Sequence, residues 1–403
     1  MPEGIGEGAP QPNSEPVPEV HDSERETPSL RPFTVQTPQE FRNDFVAEIR
    51  ATPPGGQIGL EVMQFERCDN TQPIFDAIQE VHERGDRDVR FHYDRIARDH
   101  IRVKSDDGGH DQAWAALGRT LYHRGNRQAL REAYADREAL LQQLIEQGIT
   151  NEGEKHRFLS HNHVKIALAN EAAWFGTMNM RELDFDMSNF MIKLTDPRWV
   201  GVIQDVFEQT EKPHDKSEKK ADKVYADNDE GLPSTTEFLL DAGERGQSII
   251  YERANQMAAS LQEGDEFILI GQWPPIKRMY GHIIETLDEK TMSAGAHGTY
   301  LMSPAEKLHP HRRASLFLQK QVEKKHANNP NVALENLARE THLKILLIKH
   351  ADGSREMIAG SHNLTKSTVR HGTRELSMWT KDATVIDQVE DYVTQIRGES
   401  KAV

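Results

Sequence analysis

Residues 160–170 read SHNHVKIALAN, and residues 341–349 read THLKILLIK. Each stretch sets a histidine and a lysine two positions apart in an apolar run that predicts a buried strand. Alternate side chains of a strand share a face, so His163 and Lys165 point the same way, as do His342 and Lys344. An ammonium turned toward a core is costly unless it meets an anion. Two solvated polar residues at a strand edge would explain either pair alone. The repetition predicts instead one anionic ligand common to both.

What surrounds the two pairs repeats as well. In the first half, a helix is predicted from Pro38, Phe41, Phe45 and Ile49, followed by a strand over 57–65, a helix over 73–86 ended by Gly85, and a strand over 88–94. In the second half, a strand over 265–273, one helix over 276–290 and a strand over 298–303 follow the same grammar. Strand, helix, strand is the unit of a parallel sheet. Long helices are predicted over 127–148 and 313–327, each ahead of its His-Lys pair. A duplication of this kind is an architectural signal, because each unit needs a partner to cover its exposed face.

Composition bounds the rest. At roughly 150 residues per domain, 403 residues predict two or three units. The expected organisation is a disordered acidic tail over 1–34, a first domain over 35–207, a charged linker or loop over 208–233 and a second domain over 234–399. Acidic residues outnumber basic ones, 65 against 49, for a formal net charge of −16. That balance argues against a general nucleic-acid coat and against broad adhesion to anionic membranes, leaving either partner a local patch. No apolar run approaches the ~20 residues of a membrane span. The first residues, MPEGIGEGAPQPNSEPVPEVHDSERE, lack the basic start and apolar centre of a signal peptide. Cytoplasmic residence is the expectation, with any membrane contact peripheral. Cys68 stands alone and is expected to be a packed thiol.

Beyond each pair, a short turn of small residues ends in asparagine: FGTMN, with Gly176, Thr177 and Asn179, and AGSHN, with Gly360, Ser361 and Asn363. Glycine permits close backbone approach, and short hydroxyl and amide donors suit phosphate oxygens, so the turns predict a phosphate cradle.

His-x-Lys, a short strand and then Gly-Ser/Thr-x-Asn, twice in one chain, resembles the phospholipase D superfamily of HKD enzymes. The resemblance runs from about Thr34 to Gln395. EVMQF, RGD and VRFHYD look like the family's opening unit. MRELDFDMSNFMIKLTDP, after the first motif, is similar to the corresponding stretch of cardiolipin synthases and related bacterial phosphatidyltransferases, and GTRELSMW plays that part in the second half. The fold implied is α/β, two phospholipase D-like α-β-α domains with mixed, largely parallel sheets related by pseudo-twofold symmetry. One departure is visible. The family places an aspartate five residues after the lysine, where this chain has Asn170 and Lys349. Tyrosyl-DNA phosphodiesterases also lack it while keeping His, Lys and Asn.

The resemblance implies a phosphodiesterase acting through a covalent phosphohistidine, without metal or other cofactor. Phosphodiester exchange needs a nucleophile, an acid for the leaving oxygen and positive charge around the equatorial oxygens. His163 is assigned attack and His342 acid/base duty, with Lys165, Lys344, Asn179 and Asn363 on the phosphoryl oxygens and Thr177 and Ser361 as secondary donors. Glu375 matches a family carboxylate that orients a catalytic histidine. Asn189 is its expected counterpart in the first half, and Asp186 a weaker choice.

Other constellations carry less. His161 and His163, and His309 and His311 beside Arg312 and Arg313, have metal-like spacing, but no cysteine or carboxylate cluster accompanies them. The His309–Arg313 stretch could touch a headgroup or phosphate at the site mouth. Trp199, Ile203 and Phe207 recur at helical spacing and are expected in the core. The substrate expected is a phospholipid, handled as in cardiolipin synthase by hydrolysis or phosphatidyl transfer. A metal-independent nuclease or DNA-adduct phosphodiesterase is the alternative, and a binding module that has lost catalysis is disfavoured by two intact His-Lys pairs.

Overall fold

In a computed structural model the described residues are 32–93, 127–150, 162–211, 221–227, 234–304 and 312–401. Their first half contains β1 (Phe33–Gln36), α1 (Pro38–Ala51), β2 (Gln57–Val62), α2 (Gln72–Glu83), β3 (Asp88–Tyr93), α3 (Arg127–Glu146), β4 (Ile166–Ala169), β5 (Ala172–Gly176), α4 (Glu182–Asp186), β6 (Met191–Leu194) and α5 (Pro197–Glu211). In the second are β7 (Lys223–Ala226), β8 (Thr236–Ala242), α6 (Ile249–Ser260), β9 (Glu266–Gly271), α7 (Lys277–Tyr280), α8 (His282–Ser293), β10 (His297–Met302) and α9 (Arg312–His326). It closes with β11 (Val332–Asn336), β12 (Ile345–Lys349), β13 (Arg355–Gly360), α10 (Lys366–His371), β14 (Arg374–Thr380) and α11 (Ala383–Lys401).

Local chemistry accounts for the main boundaries. At the start of α1, Thr37 and Glu40 form a capping box and Pro38 occupies the first turn, where its missing N–H costs nothing. The helix expected over 276–290 is two helices, because Gly281 takes φ 61 and breaks the chain between α7 and α8. β4 and β5 are joined by the two residues Asn170 and Glu171, and Asn170 adopts φ 55, a conformation asparagine tolerates better than most.

Two mixed sheets result, ordered β1-β6-β5-β4-β2-β3 and β11-β10-β9-β12-β13-β14-β8-β7. Six strands correspond one to one: β3, β2, β4, β5, β6 and β1 follow the same order as β10, β9, β12, β13, β14 and β8. The expectation of largely parallel sheets needs correction. Parallel pairing is confined to β2–β3 and β9–β10–β11, and the remaining neighbours are antiparallel. Helical crossovers generate the first kind, whereas β4 returns to β5, and β12 to β13, through connections too short for a parallel crossover.

Helices flank each sheet. α1, α2 and α3 bury Phe41, Phe45, Ile78 and Leu144 against one face of the first, and α6 and α8 bury Met257 and Leu287 against one face of the second. Between the sheets lies a shared core in which Trp199, Ile203 and Phe207 of α5 and Val385, Val389 and Val393 of α11 meet strand residues of both halves. Phe175 on β5 packs edge-on against Phe238 on β8 with ring centroids 4.8 Å apart. The stripe on α5 is therefore core, as its spacing predicted.

Two boundaries shift. Phe33, placed in the tail, is buried in β1, which pairs with β6, and the charged 208–233 segment contains β7, an edge strand on β8. Residues 1–31 lie outside the described residues. Among the described residues, no helix is long and apolar enough to cross a membrane.

Candidate active site

The two halves meet through the backbone of the motifs themselves. Asn162 bridges Arg374, and Ser188 bridges Thr341, each in parallel sense. The His163 N–H donates to the Arg374 carbonyl at 2.9 Å, and the His342 N–H to the Ser188 carbonyl at 3.0 Å. Each pair thus sits in an extended segment just ahead of its strand, since β4 begins at Ile166 and β12 at Ile345. The strand expected to begin at each histidine begins three residues later, just past the lysine, because the histidine N–H is spent on the opposite half.

That junction brings His163 and His342 together, with ring centroids 6.3 Å apart and planes at 83°. Both are more than 90% buried, as are Lys165 and Lys344. Lys165 Nζ donates to the His163 carbonyl at 2.6 Å, and Lys344 Nζ makes the same bond to the His342 carbonyl. Each ammonium is thereby anchored on its own segment beside the facing rings.

Second partners fix the rings. His163 Nδ1 lies 2.9 Å from Glu375 Oε2 and 3.1 Å from the Ser361 carbonyl. His342 Nδ1 lies 2.8 Å from the Thr177 carbonyl and 3.8 Å from Asp184 Oδ1. All of these partners are acceptors, so each ring carries its proton on Nδ1 and its lone pair on Nε2. Burial, reinforced by the ammonium groups of Lys165 and Lys344, holds the His163 imidazole well below its usual range. Burial and then Lys344 and Lys165 do the same to His342. Lys344 is also pushed well below the usual lysine range, by burial first and the Lys165 charge second, against the pull of Glu375 and Asp184. Two cations crowded into a buried space suit an anion.

The cradle residues behave differently from expectation. A Cβ on Gly176 would come within 2.4 Å of the Phe190 carbonyl oxygen, and one on Gly360 within 2.4 Å of that of Leu376. Glycine is required there by the neighbouring strand, not by a ligand. The hydroxyls of Thr177 and Ser361 are committed to protein: Thr177 Oγ1 donates to Asn189 Oδ1 at 3.0 Å, and Ser361 Oγ to Glu375 Oε2 at 2.5 Å. They are clamps on Asn189 and Glu375, which corrects their reading as phosphate donors. Asn179 is buried and its Oδ1 accepts from the Gln64 N–H at 3.2 Å, while Asn363 is half-buried.

Asn189 occupies the position equivalent to Glu375, one residue after the bridging Ser188 as Glu375 follows Arg374. The group that approaches His342 from that side is Asp184, which also accepts from the Asn179 N–H at 3.2 Å and from Arg181 Nε at 2.6 Å. Asp186 is exposed. The sequence reading missed Asp184 and Arg181, although both stand in the stretch that carried the resemblance. It also missed His362, whose Nδ1 accepts from the Leu364 N–H and whose Nε2 lies 3.5 Å from Ser248 Oγ, itself donating to Asp241 at 2.6 Å. Asp241 is the cross-strand partner of Glu375. Burial brings His362 down to about 4 and raises Asp241 well above the usual carboxylate range.

Asn170 and Lys349, which stand where the resemblance places an aspartate, are engaged elsewhere. Asn170 is exposed in its turn and donates to Glu48 Oε2 at 3.0 Å, and Lys349 at the end of β12 pairs with Glu390. His161, His309 and His311 lie outside the described residues, as do the side chains of Arg312 and Arg313.

No protein-family model matches the chain, and no curated protein matches it in sequence. Its fold has counterparts among solved structures. The phosphatidylserine synthase of Haemophilus influenzae Rd KW20 superposes with a TM-score of 0.61 at 12% identity, over 91% of this chain and 86% of that one. A polyphosphate kinase from Porphyromonas gingivalis gives 0.51 at 10% identity, over 89% of this chain and 49% of that one. The fold is the two-domain α/β arrangement of the phospholipase D type.

Proposed function

We propose that the chain is a phosphodiesterase that works through a covalent phosphohistidine on His163, with a phospholipid as substrate and hydrolysis or phosphatidyl transfer as the reaction. The observation that carries the reading is the pair of facing imidazoles, 6.3 Å between centroids, each with a lysine ammonium anchored beside it. In the first step the Nε2 lone pair of His163 attacks phosphorus, and the bond to the leaving alcohol breaks as its oxygen takes a proton from His342 Nε2. In the second, water or a second alcohol gives its proton back to His342 and displaces His163. Burial first, and then the charges of Lys344 and Lys165, keep His342 neutral in the empty site; substrate brings a negative charge between the two lysines that opposes both and lets His342 hold that proton. Asn179 and Asn363 add amide donors to the phosphoryl oxygens.

The assignment of attack to His163 is supported by its contact with Glu375, since attack leaves positive charge on the ring and a carboxylate at 2.9 Å stabilises it. The lipid reading draws on the phosphatidylserine synthase, which shares its architecture with most of this chain, whereas the polyphosphate kinase is matched over only half its length. One fold can host several phosphoryl chemistries, so substrate is decided by experiment. Phosphatidylglycerol vesicles with a primary alcohol, and separately single- and double-stranded DNA, are incubated with protein in chelator. Alcohol-dependent transfer supports the lipid reading, and strand cleavage the nuclease alternative. Acid-labile label on His163 after quenching supports the covalent step, and undiminished activity in His163→Ala sinks it.

A further inference from the structure

The two site histidines share one architecture yet face different carboxylates. Glu375 is fully buried, and among the described residues its Oε2 receives the Ser361 hydroxyl and His163 Nδ1, while its Oε1 has no hydrogen-bond partner. Asp184 is also fully buried, but its Oδ2 is held by Arg181 Nε at 2.6 Å and its Oδ1 by the Asn179 N–H at 3.2 Å. His342 Nδ1 stands 3.8 Å from that Oδ1, beyond hydrogen-bond distance, and makes its bond to the Thr177 carbonyl instead. The equivalent of Glu375, Asn189, carries no charge and turns its amide N–H to the Asp184 carbonyl.

We propose, building on the phosphohistidine reading, that the Arg181–Asp184 ion pair is what makes the two histidines unequal, with Arg181 the positioning residue that reserves His342 for proton donation to the leaving group. A guanidinium on Asp184 offsets the carboxylate field at His342, so an imidazolium formed there is less stabilised than one at His163 and gives up its proton more readily. His163 keeps the field of Glu375 and is the ring better able to carry the charge of a phosphorus–nitrogen bond. The charged and titratable groups facing His342 are Lys344 on its own segment and His163, Lys165, Arg181 and Asp184 from the other half, with Glu375 acting on Lys344. Arg181 reaches the site through Asp184, 2.6 Å from its Nε and itself 3.8 Å from His342 Nδ1, and its charge is a minor cause of lowered proton affinity at both histidines and at Lys344. The Arg181 side chain is 17% exposed, so it can be replaced with less damage than the buried carboxylate it holds.

The test uses the full chain carrying Arg181→Gln, with Arg181→Lys as the variant that restores charge without the fork. The imidazole carbon signals of His163 and His342 are titrated by NMR in protein with carbon-13 in its histidines and saturating orthovanadate. Rates are followed with bis(p-nitrophenyl) phosphate, which expels p-nitrophenolate, and with dimethyl phosphate, which can expel only the demanding leaving group methoxide. Freed from Arg181, Asp184 raises the His342 titration midpoint by about one pH unit, while His163, which loses only the distant Arg181 charge, moves up by less. A weaker acid then slows release of the alkyl leaving group about fivefold more than release of p-nitrophenolate, and Arg181→Lys recovers most of the loss. An unchanged His342 midpoint, or equal movement of both histidines, overturns the proposal, as does equal slowing with both leaving groups. A wild-type protein inert toward every phosphodiester sinks the phosphohistidine reading, and the acid role of His342 with it. An active wild type with an unaltered Arg181→Gln variant sinks the ion-pair proposal alone.

Discussion

Replacing Glu375 with glutamine removes one charge from the interior and little else. The carboxylate is fully buried, and its Oε2 lies 2.9 Å from His163 Nδ1. During attack the ring becomes cationic, and opposite charges about 4 Å apart are worth about 4 kcal/mol at an effective dielectric near 20. A glutamine oxygen keeps a neutral hydrogen bond of about 1 kcal/mol to Nδ1. The expected loss is therefore about 3 kcal/mol of transition-state stabilisation, or about 150-fold in kcat/KM. Because the ring is neutral before attack, the loss falls on kcat and leaves KM nearly unchanged. Glu375→Gln is assayed with bis(p-nitrophenyl) phosphate beside wild type, with denaturant melts to show that the fold is intact. A folded variant within threefold of wild type, or one whose defect lies wholly in KM, would refute the assignment of His163 as the ring that carries charge.

Three further outcomes are expected. Gly360→Ala forces a methyl within 2.4 Å of the Leu376 carbonyl and 2.5 Å of Ser377 Cα, and costs about 3 kcal/mol in a urea melt, with activity falling as Ser361 and Glu375 are displaced. Lys344→Met removes a buried, unfavourable cation, so it raises stability by about 1 kcal/mol while lowering kcat/KM at least about a hundredfold, read from the same two assays. For pH, His163, His342 and His362 have folded values depressed below the free imidazole, so their contribution to stability is complete above pH 6.5 and is lost as pH falls toward the folded values. His362, from 6.5 to about 4, alone accounts for about 3 kcal/mol by pH 4. His362→Gln flattens the acid limb of a stability-against-pH series, and a slope identical to wild type counts against a buried neutral ring.

The sequence carried the duplication, the shared order of elements and the convergence of His163, Lys165, His342 and Lys344, because apolar periodicity and a repeated polar pair are local patterns. Sheet polarity escaped it, since β4 and β12 have the same composition whether the next strand runs parallel or antiparallel; the deciding feature was the two-residue turn at Asn170. Gly176 and Gly360 were recognisable as special, but whether a glycine makes room for a ligand or for the next strand depends on the approach of the Phe190 and Leu376 carbonyls. Asp184 was harder still. It lies among Glu182, Asp186 and other ordinary polar letters, and only the turn of α4 beside His342 separates it from them.

Those missed residues share a position, the second contact behind a histidine, where a single change of charge alters chemistry without altering fold. Asn189 keeps the hydrogen bond to Thr177 that Glu375 makes to Ser361, so the duplicated scaffold survives the loss of a carboxylate. The field at the ring does not survive it, and Asp184 with Arg181 supplies only a partly cancelled substitute from α4. A symmetric scaffold with unequal fields suits the proposed two-step transfer, in which one ring holds phosphorus while the other passes a proton out and back. Installing Glu at position 189 in place of Asn would bring the two fields toward equality. If unequal fields divide the labour, that change lowers the rate with alkyl leaving groups and permits label on His342 as well as His163.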